Sequence, residues 1–227
     1  MTYSRYAIYY VPDPGPLTDF AAQWLGWDIL TGGSCSHPLV SHLPCAVEKI
    51  TATPRKYGFH ATIKPPFRLA PGCSPDELRD AARTLMASLA PVTLNGLQVS
   101  QIGNFLALTP VGDTGALNQL AAGTVKDLDQ FRAPADSAEL ARRRAAHLSE
   151  SQEALLIKWG YPYVMEEFRF HMTLSGRLSA QHLAQVADAL RPELTPRITG
   201  SHPIRSLCLV GERPDRQFEL IERLPII

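Results

Sequence analysis

The sequence predicts an α+β protein of two pseudo-symmetric lobes, with antiparallel-rich sheets flanking a central cleft and helices on the outside. Three observations lead to this class. Segments rich in β-branched and aromatic residues alternate with segments of helical apolar spacing. The order strand, helix, hairpin occurs twice along the chain. Each copy opens with the same short pattern, Phe-His-x-Thr followed by an aliphatic residue, at 59–63 and at 170–174.

The first half begins with a predicted strand at residues 5–11, "RYAIYYV". A helix is expected next, because apolar residues recur at helical spacing between Leu17 and Leu25. An irregular loop then extends from about residue 32 to residue 54. The first Phe-His-x-Thr segment, "YGFHATIKPPF", is predicted to be a strand that stops at Pro65 and Pro66, because proline cannot donate to a sheet.

The helix predicted from residue 74 has the clearest signals in the chain. Ser74 suits the N-cap, Pro75 suits the first helical position, and Glu77 completes a capping box. Two strands around Gly103 and Asn104 follow. The first half thus reads strand, helix, hairpin.

The second half repeats this order after a helical stretch at about 114–160. The second Phe-His-x-Thr segment, "FRFHMTLSGRL", is followed by a helix from about Ser179 and by two strands around Pro214 and Asp215. We therefore expect a single domain over residues 1–227. Its lobes are placed at about 50–110 and about 165–225, and the helical stretch is an insertion between them.

The composition limits which classes of partner the protein is expected to bind. The chain is 45% hydrophobic and 19% charged, with 22 basic and 22 acidic residues. This balance gives no overall attraction to long nucleic acid. No apolar run could span a bilayer, the N-terminal segment lacks the plan of a secretion signal, and four cysteines are too few for a disulfide framework. We expect a cytoplasmic protein without a membrane partner, and the oligomeric state stays open.

The two histidines are expected to share a polar surface with other functional side chains. Side chains on a strand alternate between faces, so His60, Thr62 and Lys64 should lie opposite an apolar, core-facing set formed by Tyr57, Phe59, Ala61 and Ile63. His171 and Thr173 should do the same on the second strand, together with two arginines, Arg169 and Arg177.

Such a pair of strands suits acid–base chemistry on a phosphate ester. Imidazole moves protons near neutral pH, and a threonine two residues further on, at about 7 Å by strand rise, can hold an oxygen beside it. One histidine would take a proton from the attacking oxygen and the other would donate one to the leaving oxygen. Hydroxyls and cations would stabilise the phosphate charge without a metal or cofactor. The alternative is that both are ordinary half-buried strand histidines.

At these residues the sequence resembles the two-histidine phosphoesterase superfamily, whose signature is a repeated His-x-Ser/Thr on the strands of a bilobal fold. His60, Thr62, His171 and Thr173 match that signature. The longer strings "YGFHATIKPPF", "FRAP", "GYPYV" and "FRFHMTLSGRL" resemble a bacterial branch associated with phosphonate metabolism, whose domain has no known function. The resemblance covers the whole chain. It implies a cyclic phosphodiesterase, and for this branch a ribosyl cyclic phosphate.

Further residues are candidates for binding the substrate. Arg132 belongs to the string "FRAP" that carries the resemblance. Tyr161 and Tyr163 could line the cleft or stack on a base, although core packing suits them equally. The arginines at 142–144 suit a solvated helix face, and the alternative is that one or two of them hold a second phosphate.

One loop contains four residues of zinc-ligand type, Cys35, His37, His42 and Cys45. Their intervals of one, four and two residues do not match a zinc-finger spacing, so an ordinary loop is favoured and metal binding stays open.

The sequence thus favours a metal-independent enzyme that hydrolyses a small cyclic phosphate or a nucleotide 2′,3′-cyclic phosphate. Two alternatives remain. One is a regulatory protein that binds a cyclic phosphate or nucleotide without turnover, and the other is an RNA end-processing or ligase-like enzyme. The residues do not indicate which histidine is the acid and which is the base.

Overall fold

The structure, a computed structural model, describes residues 3–227 and has the predicted α+β class. Residues 1 and 2, which begin the segment considered for a secretion signal, lie outside the described part. The strands are β1 (Tyr6–Tyr10), β2 (Trp27–Asp28), β3 (Gly33–Ser34), β4 (Ala61–Phe67), β5 (Val92–Leu94), β6 (Leu97–Ile102), β7 (Phe105–Pro110), β8 (Met172–Thr173), β9 (His202–Ile204), β10 (Ser206–Glu212) and β11 (Phe218–Pro225). The helices are α1 (Pro16–Leu25), α2 (Val47–Ile50), α3 (Ala52–Arg55), α4 (Pro75–Ala87), α5 (Gly115–Asp127), α6 (Ser137–Arg144), α7 (Glu150–Trp159) and α8 (Ala180–Leu194).

Seven strands form one antiparallel sheet in the order β11-β10-β1-β4-β8-β7-β6. The strand order is pseudo-symmetric about the central pair, β4 and β8. Outward from that pair, β1 matches β7 and β10 matches β6, while β11 adds an edge. The strands β4 and β8, which begin one residue after His60 and His171, therefore lie at the centre of the sheet.

The strand order shows where the internal repeat begins. The run β1-α1-β4-α4-β5-β6 corresponds to β7-α5-β8-α8-β9-β10, so each repeat starts one strand before its histidine strand. The helical stretch at about 114–160 occupies the same place between β7 and β8 that α1 to α3 occupy between β1 and β4. The lobe limits drawn from the sequence stay a prediction.

The main core lies on one face of the sheet, between the sheet and the outer helices. It takes its apolar residues from α1, α4, α5 and α8 and from every second residue of β1, namely Tyr6, Ile8 and Tyr10. The intervening β1 residues Ala7 and Tyr9 pack in a smaller cluster with Phe218 on the opposite face. Helix α4 begins with the predicted capping box of Ser74 and Glu77.

The prediction that the first histidine strand stops at Pro65 and Pro66 is wrong, because β4 continues to Phe67. Tyr6 pairs with Phe67 and Ile8 pairs with Lys64, so two steps along β1 match three along β4. The prolines lie in this bulge, where the regular ladder of N–H donors is interrupted.

A second bulge overturns the predicted orientation of Lys64. Ile8 pairs with Lys64 but the next residue, Tyr9, pairs with Thr62. The extra residue in β4 breaks the alternation of faces, so Lys64 lies beside the core-facing Ile8 while Thr62 lies beside Tyr9 on the opposite face. Lys64 is 1% exposed.

Within residues 3–227, no helix has both the length and the apolar character needed to cross a membrane.

Candidate active site

The pairing of the two histidine strands determines which site residues meet. Ala61 of β4 is the antiparallel partner of Met172 of β8, and both side chains are fully buried. When this register is extended by one residue on either side, His60 lies opposite Thr173 and Thr62 lies opposite His171, on the face away from the core. Residues directly opposite each other have Cβ atoms about 4.5–5.5 Å apart, and diagonal neighbours, the relation of His60 to His171, have backbone positions about 7–8 Å apart.

These four residues line a surface that we call the histidine groove. His60 and Thr173 line one recess of about 220 Å³, the His60 recess, while Thr62 and His171 line another of about 430 Å³, the His171 recess. Phe105 lines both. The two recesses are therefore neighbouring parts of one groove over the centre of the sheet.

The backbone holds the His60 ring in one tautomer. Its Nδ1 lies 2.9 Å from the Gly58 carbonyl oxygen, and its Nε2 lies 3.1 Å from the Thr62 hydroxyl. Because a carbonyl oxygen only accepts, Nδ1 carries the proton and donates. In the neutral ring Nε2 is then an acceptor and receives the Thr62 hydroxyl proton.

The His171 ring is held by the same device. Its Nδ1 donates to the Arg169 carbonyl oxygen at 2.7 Å, again two residues earlier in the chain. Nε2 has no hydrogen bond to any residue in 3–227, so it is the ring atom open to a ligand. The repeated sequence pattern thus corresponds to a repeated local geometry.

Gly58 makes the His60 arrangement possible. Its φ of +70° lies in the left-handed region, and a Cβ there would lie 2.6 Å from the Cβ of Ile29. The backbone turns at Gly58. The alternation of side chains between the two faces, which was expected from Tyr57 onward, therefore begins only after Gly58. Tyr57 was expected in the core with Phe59, but it lines the His60 recess instead.

Two aromatic rings flank the histidines. Tyr9 stacks on His60 with ring centroids 3.7 Å apart, and Phe105 lies 5.7 Å from His171. Burial lowers the pKa of His60 to about 4, against the opposing effect of its bond to Gly58, and the charge of His171 lowers it further. His60 is therefore neutral at pH 7, and its Nε2, which accepts the hydrogen bond of the Thr62 hydroxyl, is the ring nitrogen without a proton.

Two arginines on either side of β8, Arg169 and Arg177, lie beside the groove. Arg177 lines both recesses and makes no hydrogen bond or ion pair with any residue in 3–227. Arg169 lines the His171 recess, where its guanidinium donates to the carbonyls of Glu166 and Phe168. Arg177 is the freer of the two to meet an anion.

Tyr161 and Tyr163 both line the His171 recess, with their rings 5.6 Å apart in an edge-to-face contact. Burial raises the pKa of Tyr161, so its hydroxyl stays protonated. Tyr163 is 42% exposed. Both rings line the groove, and Tyr161 also packs against the apolar cluster of Val125, Leu155 and Val164.

Lys64 and Arg132 are not in the groove. The Lys64 ammonium donates to the Val125 carbonyl at 3.0 Å and to Asp129 at 3.2 Å, and Arg132 makes two hydrogen bonds to the same Asp129 carboxylate. Their expected role in binding substrate is therefore corrected to a structural one. The sequence did not show this because the bulge in β4 and the position of Asp129 depend on distant segments.

The four zinc-ligand types of the loop at 35–45 do not converge. Within residues 3–227 no three His, Cys, Asp or Glu side chains are grouped to hold a metal ion. His37 instead hydrogen-bonds through Nδ1 to the carbonyls of Gln23 and Trp24 near the end of α1. Its role is to complete the helix terminus.

Sequence reasoning missed Tyr9, Tyr57 and Phe105 as groove residues. They come from β1, from the turn before β4 and from β7, and only the sheet brings them together. Only Tyr9 could have been identified from the local sequence, because it alternates with core residues along a strand and so lies on the opposite face.

Comparison with known protein families assigns the chain. A family model described as "Protein of unknown function (DUF1045)" matches residues 62–219, which include Thr62 and the whole second motif. The chain therefore belongs to the DUF1045 family.

The curated relatives are longer proteins. The "Ribose 1,5-bisphosphate phosphokinase PhnN" of Janthinobacterium sp. (strain Marseille) is 38% identical over 177 residues, which are 77% of this chain and 39% of that protein. The protein of the same name from Laribacter hongkongensis (strain HLHK9) is 34% identical over 182 residues, 77% of this chain and 40% of that protein. The chain thus spans about two fifths of the length of these relatives.

Among solved structures, that of E. coli LigT in complex with 3′-AMP is 14% identical, with a TM-score of 0.46 over 99% of each chain.

Proposed function

We propose that the protein is a two-histidine phosphoesterase that hydrolyses a small cyclic phosphodiester. The observation that carries this proposal is the register of β4 and β8, which brings two imidazoles of the same tautomer and two threonine hydroxyls onto one face. Two imidazoles whose backbone positions lie diagonally across a strand pair, about 7–8 Å apart, can reach opposite sides of one phosphate.

In the proposed reaction the neutral His60 is the base. The Thr62 hydroxyl turns from Nε2 of His60 to the phosphate when substrate binds, and Nε2 then takes a proton from water as the water oxygen forms a bond to phosphorus. The bond from phosphorus to the leaving ester oxygen breaks, and Nε2 of protonated His171 donates a proton to that oxygen. Exchange with solvent then returns each ring to its starting state. Thr62, Thr173 and Arg177 stabilise the charge on the non-bridging oxygens.

The electrostatics support this division of roles. A proton on one histidine disfavours a proton on the other, and burial keeps His60 the neutral member. The name of the two curated relatives concerns a phosphorylated ribose, which favours a ribose cyclic phosphate over other cyclic phosphates. We propose no kinase activity for this chain, and a cytoplasmic location is part of the same proposal.

The test is a panel of cyclic phosphates, from ribosyl 1,2-cyclic phosphate to 2′,3′-cyclic nucleotides, assayed with EDTA. His60→Asn and His171→Asn should each lower kcat by about a hundredfold or more, the scale of general acid–base catalysis. The double variant should be little worse than the poorer single one, because the two groups act as a unit.

The matched control is His147→Asn, since His147 is an exposed histidine outside the groove, with φ of 54°, which asparagine tolerates. Full activity of both groove variants would end the proposal. Tight binding of a cyclic phosphate without product would favour the regulatory alternative. Activity confined to RNA ends would favour the end-processing alternative.

A further inference from the structure

A second polar cavity of about 680 Å³ adjoins the histidine groove. We call it the basic recess, and its lining includes Lys56, Tyr57, Arg68, Arg142, Arg143 and Arg216. Tyr57 also lines the His60 recess. The Tyr57 side chain therefore lies between the basic recess and the His60 recess and lines both.

The basic recess opens on the same face of the sheet as the histidines. Arg5 is one of its walls and lies just before β1, four residues from the Tyr9 that stacks on His60. Alternation along a strand directs residues 5, 7 and 9 to one side. The Arg5 guanidinium lies 5.7 Å from the ring centroid of Phe218, which packs in the same cluster as Tyr9.

The charges around the basic recess are unbalanced. Among residues 3–227, seven cationic side chains and two carboxylates, Glu139 and Glu212, line it. Part of this charge is neutralised by tight pairing: Arg5 makes two hydrogen bonds to Glu212, and Arg213 and Arg68 pair with carboxylates beside them. These pairs form the walls of the recess.

Four of these cations have no close carboxylate in the part of the chain that the structure describes. Arg142 and Arg143 reach only one oxygen of Glu139, at 3.9 and 4.0 Å. Lys56 and Arg216 have no ion pair with any residue in 3–227. Like charges gathered around one cavity repel one another, so an anion in the cavity would be stabilised by all of them.

Arg143 gives an independent sign that a partner belongs there. Its Nε is buried and has no hydrogen-bond acceptor among residues 3–227. A buried donor without a partner is costly, and the usual remedy is an acceptor from a ligand or a water. The Arg143 guanidinium also lies 4.6 Å from the ring centroid of Tyr161, which lines the His171 recess. The basic recess thus adjoins both parts of the groove.

We propose that the basic recess binds a phosphomonoester carried by the same substrate whose cyclic phosphate lies between the histidines. This inference rests on the proposed function for its account of the groove. A phosphomonoester is a near-dianion with three acceptor oxygens, which matches several forked and point-charge donors that lack partners. The substrate class is therefore a phosphorylated sugar cyclic phosphate rather than a cyclic phosphate alone.

The experiment compares one cyclic phosphate with and without a second phosphate, such as 2′,3′-cyclic AMP and its 5′-phosphorylated form. We expect the wild type to prefer the phosphorylated compound in kcat/KM. Arg216→Ala and Lys56→Ala should each lower the ratio of the two kcat/KM values roughly tenfold to a hundredfold, the scale of a lost charge-assisted contact. Arg191→Ala, an exposed arginine of α8 paired with Asp188, is the control and should leave the ratio unchanged.

A binding measurement separates this inference from the proposed reaction. Calorimetry with ribose 5-phosphate and with ribose should show binding of the phosphate only, weakened in Arg216→Ala. If no cyclic phosphate is hydrolysed but this pattern holds, the proposed function fails and the phosphate site stands. If turnover is found with a ratio near one and ribose 5-phosphate does not bind, the inference is overturned. A preference for cyclic-phosphate-ended RNA oligomers over the small compounds would also overturn it.

Discussion

At the level of single residues, each of the two groove histidines is oriented by a backbone carbonyl. His60 and His171 both donate Nδ1–H to the carbonyl two residues earlier, at 2.9 and 2.7 Å. This contact orients the ring and leaves Nε2 as the reactive atom, which is the usual way that a protein selects a histidine tautomer. The repeated His-x-Thr pattern is thus accompanied by a repeated hydrogen bond that its letters do not specify.

The lowered pKa of His60 predicts an unusual pH dependence. If neutral His60 is the base, the acidic limb of the kcat/KM profile should lie well below the ordinary histidine value of 6.5, toward the value of about 4. Folding should respond in the same range. Because the unfolded chain binds the proton first, stability should fall as the pH drops from about 6.5 to about 4.

Ring titration by NMR and urea unfolding at several pH values measure these two effects. In His60→Asn the part of the acid destabilisation due to this ring should disappear, whereas His147→Asn should keep it. A His60 ring that titrates near 6.5 in the folded protein would contradict the prediction.

At the level of secondary-structure elements, the buried ammonium of Lys64 joins β4 to the segment after α5. Burial lowers the pKa of Lys64 to about 8, although Asp129 opposes this effect. Burial alone would favour a neutral Asp129, but hydrogen bonds and charge from Arg132 and Lys64 hold its pKa below the ordinary value. The Asp129 carboxylate therefore pairs with two cations, Lys64 and Arg132, and only the Lys64 ammonium is deeply buried.

This asymmetry predicts unequal costs of removing the partners. Asp129→Ala should lower the free energy of unfolding by about 3–5 kcal/mol, because Lys64 would be left as a buried charge without a carboxylate. Lys64→Met should cost much less, on the order of 1 kcal/mol, because Asp129 keeps Arg132 and the main loss is one hydrogen bond to Val125. Urea unfolding at pH 7 measures both.

The exposed Asp127, also near the end of α5, provides the control, and Asp127→Ala should be close to wild type. If Asp129→Ala and Lys64→Met lower the free energy of unfolding equally, the unpaired Lys64 ammonium is not the cause of the destabilisation.

At the level of the whole molecule, stability is unevenly distributed around the two cavities. The central strands are buried, whereas α6 has no buried residue. Arg68 pairs with Asp136 and Glu139 at 3.1 and 3.5 Å and so connects α6 to the rest of the chain. The Arg68–Asp136 pair is exposed on both sides, and such pairs contribute little and are screened by salt. The helix that supplies Arg142 and Arg143 to the basic recess is thus weakly attached.

We therefore expect the amides of α6 to exchange with solvent faster than those of β1 or α8, and faster still at high salt. Ribose 5-phosphate should slow exchange in α6, because the anion would bring Arg142 and Arg143 together. Hydrogen exchange followed by mass spectrometry measures both effects. Protection of α6 equal to that of α8 in the free protein, or no response to ribose 5-phosphate, would contradict this expectation.

Local sequence signals determined several parts of this protein. Ser74 and Glu77 specify the start of α4, because a capping box depends only on residues three apart. Gly103 and Asn104 specify the turn between β6 and β7. The His-x-Thr spacing places each histidine on the same side as its threonine, because the side-chain period of a strand is two. The α+β class followed from the alternation of such signals.

The tertiary structure decided what the local pattern could not. The orientation of Lys64 depends on bulges in the pairing of β4 with β1, and the meeting of His60 with Thr173 depends on the single matched pair of Ala61 and Met172. Register is set by long-range pairing and by which side chains the core accepts, and a shift of one residue reverses every face. The basic recess draws its cations from segments far apart in the chain, so only the folded sheet brings their charges together around one cavity.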